Sequence, residues 1–181
     1  MNLSHVDTLW QPHPVCTDTR LRRWLLDRGS LTYRIQLRCD RFSVDVLSQC
    51  IAAVGWDERA IIGSRPGSQC MVREVSLNCG PLPVIFAHSV VEPRALRGPW
   101  HALMTLGARP LGAALFANPR VARYPLRFRQ LDRRHKLYRR AAGLIEHPPA
   151  RLWARRSLFV LHQSRLLVTE VFLPAILALA P

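Results

Sequence analysis

The sequence predicts a single α+β domain in which an antiparallel sheet is flanked by helices. Three observations carry that prediction. The chain has 181 residues, a length that one hydrophobic core can serve. Two pairs of strand-like runs, 69–78 with 82–91 and 155–162 with 165–173, are joined by turns too short for a parallel crossover. Short stretches of helical character stand between them, so helices and strands are interspersed without a regular βαβ rhythm.

The elements follow in order. Thr17 or Asp18 can cap a short helix whose apolar face is Leu21, Trp24, Leu25 and Leu26, with Gly29 as its stop. LTYRIQLR (31–38) and RFSVDVLS (41–48) read as strands around a tight turn at Cys39-Asp40. Residues 49–67 fit no single period and run into the loop-like GSRPGS. QCMVREVSLN (69–78) and LPVIFAHSVV (82–91) flank Cys79-Gly80-Pro81, a turn sequence, and Pro93 closes the second run. WHALMTLG (100–107) and PLGAALFAN (110–118) read as two short helices, and RYPLRFRQ (123–130) as a further strand. RHKLYRRAAGLIEHPPA (134–150) reads as an excursion, a basic helix ending at the Pro148-Pro149 break, that need not belong to the core. RRSLFVLH (155–162) and RLLVTEVFL (165–173) close the chain as a pair across Gln163 and Ser164. No internal repeat is visible.

Composition narrows the class. Hydrophobic residues make up 49% and charged residues 21%, which suits a soluble globular protein. The start, MNLSHVDTLWQPHP, lacks the basic-then-apolar pattern of a secretory leader. The apolar region 166–180 is too short for a span and is interrupted by Glu170 and Pro174. A cytoplasmic protein without stable membrane insertion is expected. The five cysteines are odd in number and form no C-x-x-C pair, so reduced thiols are expected. The histidines are scattered, and no metal site is expected. The formal net charge is +14, which favours anionic partners without choosing a nucleic acid, a membrane surface or a small anion. Lys136 is the only lysine. The basic stretch 120–156 reads first as a solvated surface; nucleic-acid binding would want interleaved aromatics, and only Tyr124, Phe128, Tyr138 and Trp153 are nearby. Arg155 and Arg156 fall on opposite strand faces, so at most one is expected to point inward.

Two charges break the apolar pattern. In 71–78, Arg73 shares a face with Met71, Val75 and Leu77, while Glu74 lies with Val72, Ser76 and Asn78. In the last strand Glu170 is flanked by Leu166, Val168 and Phe172. Acidic residues are rarely fully buried without a partner. Either Arg73 and Glu170 form a buried ion pair between strands, or they serve a closed pocket. In the second case Arg73 grips a ligand carboxylate with its fork of donors and Glu170 meets a ligand hydroxyl or proton. A third element is GARPLGAALF (107–116). Pro110 suits a first helical position, which leaves the Leu111 and Gly112 N–H groups free at a helix start, and Gly112 lets a ligand come close.

These segments together resemble the chorismate pyruvate-lyase family. The matching stretches are DRGSLT (27–32), VREVSL (72–77), LGARPLGAALF (106–116), LWARRS (152–157) and LLVTEVFLPA (166–175). The resemblance covers most of 15–175; residues 1–14 and 49–67 match poorly. It implies an enclosed substrate pocket and a cofactor-free lyase that converts chorismate to 4-hydroxybenzoate and pyruvate, the first committed step toward ubiquinone. By position it implies that Arg73 binds carboxylate, the Leu111 backbone contacts ligand, Glu170 faces the hydroxyl end, and Leu31 lines the pocket where the family can have methionine. Arg73 and Glu170 are the catalytic candidates, and a monomer with small-molecule partners and no nucleic acid is expected. His88 stands where an arginine is common in the family; its residue type suggests a hydrogen-bonded strand histidine rather than a catalyst. The alternatives are a non-catalytic sensor of small aromatic acids on the same scaffold, and a basic nucleic-acid-binding protein.

Overall fold

The computed structural model describes residues 9–179; residues 1–8, where most of the leader reading falls, lie outside them. Seven strands make one sheet: β1 (Phe42–Ala52), β2 (Cys70–Cys79), β3 (Leu82–Val91), β4 (Ala122–Arg123), β5 (Arg127–Asp132), β6 (Arg151–Leu161) and β7 (Ser164–Phe172). Their order is β1-β2-β3-β7-β6-β4, with β5 also on β6, and every pairing is antiparallel. Both expected hairpins form. Gly80, at φ 56°, turns β2 into β3. His162 and Gln163, at φ 45° and 67°, make the two-residue turn whose twist suits a hairpin, so Ser164 already opens β7.

Both faces of the sheet are covered, and this decides the burial. One face carries α1 (Thr19–Leu26), α2 (Leu31–Gln36), α4 (Leu111–Ala117) and the 3-10 turns Pro93–Arg97 and Pro174–Ala178. The other carries α3 (Trp56–Ile62), α5 (Lys136–Ala142) and Trp10. Consequently β2 is buried from Cys70 to Asn78 without alternation, as strands covered on both sides are. Arg155 and Arg156 are both buried, against the expectation that only one would point inward. On α1, Asp18 caps the Arg20 and Leu21 N–H groups and Trp24 and Leu25 are wholly buried.

Several local readings are corrected. Residues 31–36 form α2, not a strand: Ser30 accepts from the Tyr33 N–H, and Leu31, Thr32 and Ile35 bury one helical face. The alternation of LTYRIQLR masked that four-residue spacing. In 100–107 only a 3-10 turn, His101–Leu103, forms. The strand expected over 123–130 splits, because Pro125 has no N–H for the ladder. In the ambiguous 49–67, β1 runs on to Ala52 and α3 follows, stopped by Gly63 at φ 79°. The 134–150 segment is no excursion: Leu137, Tyr138 and Ala141 of α5 are buried in the core. Cys39 and Cys79 form a disulfide, Cα–Cα 5.7 Å, where reduced thiols were expected. The β1–β2 register, with Phe42 opposite Cys79, delivers Cys39 to its partner across 40 residues of sequence. Cys16, Cys50 and Cys70 are free.

The two ends of the sheet differ. On the β6 side the margin is divided between the two-residue β4 and the six-residue β5. On the other side the eleven-residue β1 pairs, among the described residues, only with β2, carries a bulge between Val46 and Ser48, and exposes Val46, Leu47, Cys50 and Ile51. Among the described residues no helix is long and apolar enough to cross a membrane.

Candidate functional site

A cavity lies between the sheet and α2 and α4. Strand alternation builds its floor: β2 supplies Arg73, Val75 and Leu77, β3 Ala87 and Ser89, β6 Ser157 and Phe159, and β7 Val168 and Glu170. Leu31 and Thr32 roof it from α2, and Leu111 and Gly112 from α4. The four residues singled out from the sequence (Arg73, Glu170, Leu31 and Leu111) therefore meet in one place.

Arg73 is 5% exposed. Its Nη1 donates to Gln49 Oε1 at 2.9 Å and its Nη2 to the Gly107 carbonyl at 2.6 Å. Among the described residues no carboxylate lies within ion-pair distance of it, and burial pushes its pKa down. A buried guanidinium facing only neutral acceptors lacks a counterion. The bond to Gly107 also fixes the loop that leads into α4. There Pro110 is the cap rather than the first helical residue, and Leu111 opens the helix. The Leu111 and Gly112 N–H groups have no acceptor within the helix. A Cβ at Gly112 would sit 3.0 Å from Ser30 Oγ and 3.2 Å from Thr32 Oγ1, so glycine lets the starts of α2 and α4 meet over the cavity.

Glu170 has a partner, and it is not Arg73. Its Oε2 accepts from Arg155 Nε at 2.6 Å, from the facing position on β6. Arg155 is wholly buried, and its Nη1 also donates to the carbonyls of Trp24, Leu25 and Asp27 at 3.1, 3.2 and 2.6 Å. It thus ends α1 and presents Glu170, whose side chain is 19% exposed. The interstrand Arg73–Glu170 pair considered from the sequence does not form; the two groups line the cavity on strands separated by β3.

Sequence reasoning missed Arg123 and Ser157. Arg123 lines the cavity beside the edge-on pair of rings Phe116 and Phe159, and its Nε donates to Ser157 Oγ at 3.0 Å. The available signal was parity, since Ser157 and Phe159 share the face of Arg155.

His88 points to the opposite face. Its Nδ1 lies 3.1 Å from Glu74 Oε1, and its Nε2 lies 3.1 Å from Glu58 Oε1 in a contact bent away from hydrogen-bond geometry. Glu74, which the alternation set among polar residues, is 2% exposed and is also held by Arg140. Nearby, Arg156 pairs with Asp57 at 2.8 Å. Burial would pull the His88 pKa down, but the two carboxylates outweigh it and hold it up at about 9. Burial would likewise raise the Glu58 and Glu74 pKa values, and the imidazolium lowers both. Among the described residues no group of three potential ligands could hold a metal ion.

The sequence model described as chorismate lyase matches residues 6–179. A protein of Nitrosospira multiformis named "Probable chorismate pyruvate-lyase" is 51% identical over 172 residues, covering 94% of this chain and 96% of that one. A protein of Aromatoleum aromaticum with the same name is 52% identical over 162 residues, covering 88% of each. Among solved structures, the effector domain of PhnF from Mycobacterium smegmatis matches with a TM-score of 0.53 at 11% identity, over 82% of this chain and 91% of that one. A GntR-family transcriptional regulator from Bacillus cereus matches with a TM-score of 0.53 at 10% identity, over 74% and 92%. At such identities the structural likeness speaks for the fold alone.

Proposed function

The chain belongs to the chorismate lyase family, and from that premise we propose that it eliminates pyruvate from chorismate and leaves 4-hydroxybenzoate. The observation that carries this reading is Arg73: a buried cation without a counterion, in the same apolar cavity as Glu170. Chorismate is a dianion with a ring carboxylate, a hydroxyl across the ring from it, and an enolpyruvyl ether beside that hydroxyl. In this reading the ring carboxylate docks on Arg73 and the Leu111 N–H, Leu31 packs on the ring, and Glu170 receives the hydroxyl end.

The balance of the reaction suits such a site. The bond between the ring carbon and the ether oxygen breaks, and its electrons leave with the enolpyruvyl oxygen. The hydrogen of the hydroxyl-bearing carbon departs as a proton, and its electron pair completes the aromatic ring. The departing enolate gains a proton at its methylene carbon and becomes pyruvate. No oxidant, reductant or water enters this sum, so we read the enzyme as cofactor-independent. Aromatisation supplies driving force, and the protein's task is to orient the side chain and stabilise moving charge. Arg73 neutralises one carboxylate, while Glu170, presented by Arg155, orients the ring end for proton loss.

The test is to mix purified protein with chorismate and follow 4-hydroxybenzoate and pyruvate together. Equimolar appearance of both is expected. Saturable 4-hydroxybenzoate binding without turnover would instead make the domain a sensor of aromatic acids.

A further inference from the structure

We propose that Arg123 is a second carboxylate receptor of this cavity, the one that takes the enolpyruvyl carboxylate and makes the site selective for a dianion. The inference rests on the chorismate reading above. It begins with the charges around the cavity. Arg155 already faces an acid, Glu170, gives its Nη1 to the three carbonyls that end α1, and is not among the residues lining the cavity. Arg109 folds back on its own loop, Nε to the Leu106 carbonyl at 3.3 Å and Nη2 to the Thr105 carbonyl at 2.9 Å. Arg73 accounts for one carboxylate. Arg123 remains; it and Arg73 both line the cavity, and no described carboxylate meets either within ion-pair distance. Two charges are what a dianion needs.

Arg123 is also held ready. Its guanidinium lies 5.1 Å from the Phe116 ring centre and 5.4 Å from that of Phe159, beside an edge-on pair of rings that shields part of it from water. Ser157 Oγ takes its Nε, and the carbonyls of Arg28 and Gly29 take its Nη1. All of these acceptors are neutral. Burial first, and then the charge of Arg155, pushes its pKa down, while Glu170 and Asp27 push the other way. An arriving anion would relieve that cost.

Position completes the case. Arg123 bonds Ser157, two residues along β6 from Arg155, which faces Glu170 on β7, whereas Arg73 stands on β2, across β3 from that pair. Arg123 therefore belongs to the Glu170 end of the cavity. With the ring carboxylate on Arg73 and the hydroxyl at Glu170, the enolpyruvyl group, attached to the neighbouring ring carbon, emerges at that same end. Its carboxylate then meets the one guanidinium there that has no acid. After cleavage pyruvate carries this charge away, and 4-hydroxybenzoate keeps only the carboxylate on Arg73.

The experiment compares Arg123→Gln and Arg123→Lys with the wild type, measuring kcat/KM for chorismate and the Kd of 4-hydroxybenzoate. Losing one charge-assisted contact should lower kcat/KM for chorismate about 10- to 100-fold, with partial recovery in Arg123→Lys. The 4-hydroxybenzoate Kd should stay within about threefold, well under the factor that one such contact is worth. Should Arg123→Gln fold poorly, Phe116→Leu loosens the guanidinium and is expected to show a smaller loss with the same selectivity. Unchanged kcat/KM, or an equal loss for the monocarboxylate, overturns the assignment. If the wild type turns over no chorismate, the proposed function fails by itself, and the chorismate Kd of the same variants still decides whether Arg123 reads a second carboxylate.

Discussion

Replacing His88 by leucine removes a cation that bridges two buried carboxylates from α3 and β2. The magnitude follows from its protonation. A folded pKa of about 9 against 6.5 for an unperturbed imidazole corresponds to about 3 kcal/mol of stability. Breaking a buried ion pair by deleting one partner gives a similar figure, about 3–5 kcal/mol. After the substitution Glu58 keeps the Gly55 N–H, and Glu74 keeps Arg140 and Ser48. The sign is set by the raised pKa. The His88 contribution is fully present below pH 6.5 and is lost as pH rises through about 9. Glu58 and Glu74, with lowered pKa values, contribute above their ordinary 4.5, and that part is lost as pH falls below it. Urea unfolding of wild type and His88→Leu from pH 5 to pH 10 reads the alkaline limb, where the two should converge. At pH 6 the variant should be about 3 kcal/mol less stable, and melt roughly 10 °C lower for a domain of this size. That gap should narrow as the wild type is taken to pH 10. A gap that stays constant across the alkaline range would refute the argument.

Other outcomes follow from the cavity and the disulfide. Arg73→Ala should lower kcat/KM for chorismate by about 100-fold or more, since a fully desolvated charge contact is lost, and should abolish the rise in Tm on adding 4-hydroxybenzoate; a variant that keeps either would remove Arg73 from the site. Glu170→Gln keeps the shape but leaves Arg155 buried beside a neutral amide. It should lose about 3–5 kcal/mol in denaturant titration together with most turnover, and wild-type stability would mean that Arg155 does not depend on it. Cys39→Ser opens a loop of 40 residues and should cost about 4 kcal/mol in the oxidised protein. Adding reductant should bring the wild type to the same Tm and leave the variant unmoved.

How much of this was legible depended on the range of the interaction. The β2–β3 hairpin was readable because alternation and the turn at Gly80 are local signals. Arg73 was readable because its parity set a cation among Met71, Val75 and Leu77. The partner of Glu170 was not readable, because β7 lies between β3 and β6, strands remote from each other in the chain. On β3 the facing residue is Ala87; on β6 it is Arg155, a register set by the His162-Gln163 turn, one residue earlier than the turn expected from the sequence. The simultaneous burial of Arg155 and Arg156 required knowing that both faces of the sheet are covered, and α5, read as an excursion, is part of that cover. The α2 helix escaped because six residues carry too few positions to separate a period of 2 from one of 3.6. Arg123 escaped because Pro125 interrupts the strand whose alternation would have revealed it. The Cys39–Cys79 link depends on the β1–β2 register, which no local spacing states.

The undivided margin of the sheet bears on how copies of the protein behave toward one another. With β1 unpaired on its outer side among the described residues, its backbone can template a strand from a second molecule, and Val46, Leu47 and Ile51 would be covered in the process. The bulge near Val46 hinders a long flat match, and the net charge of +14 keeps molecules apart at low ionic strength. Screening acts on the second barrier alone: the Debye length falls from roughly 10 Å at 0.1 M salt to roughly 3 Å at 1 M. Salt should therefore drive this protein toward self-association instead of dispersing it, and light scattering should rise with ionic strength. Cys50, exposed on the same strand, would make such contacts permanent under oxidising conditions, so dilute salt and a reductant are the conditions that keep the chains apart.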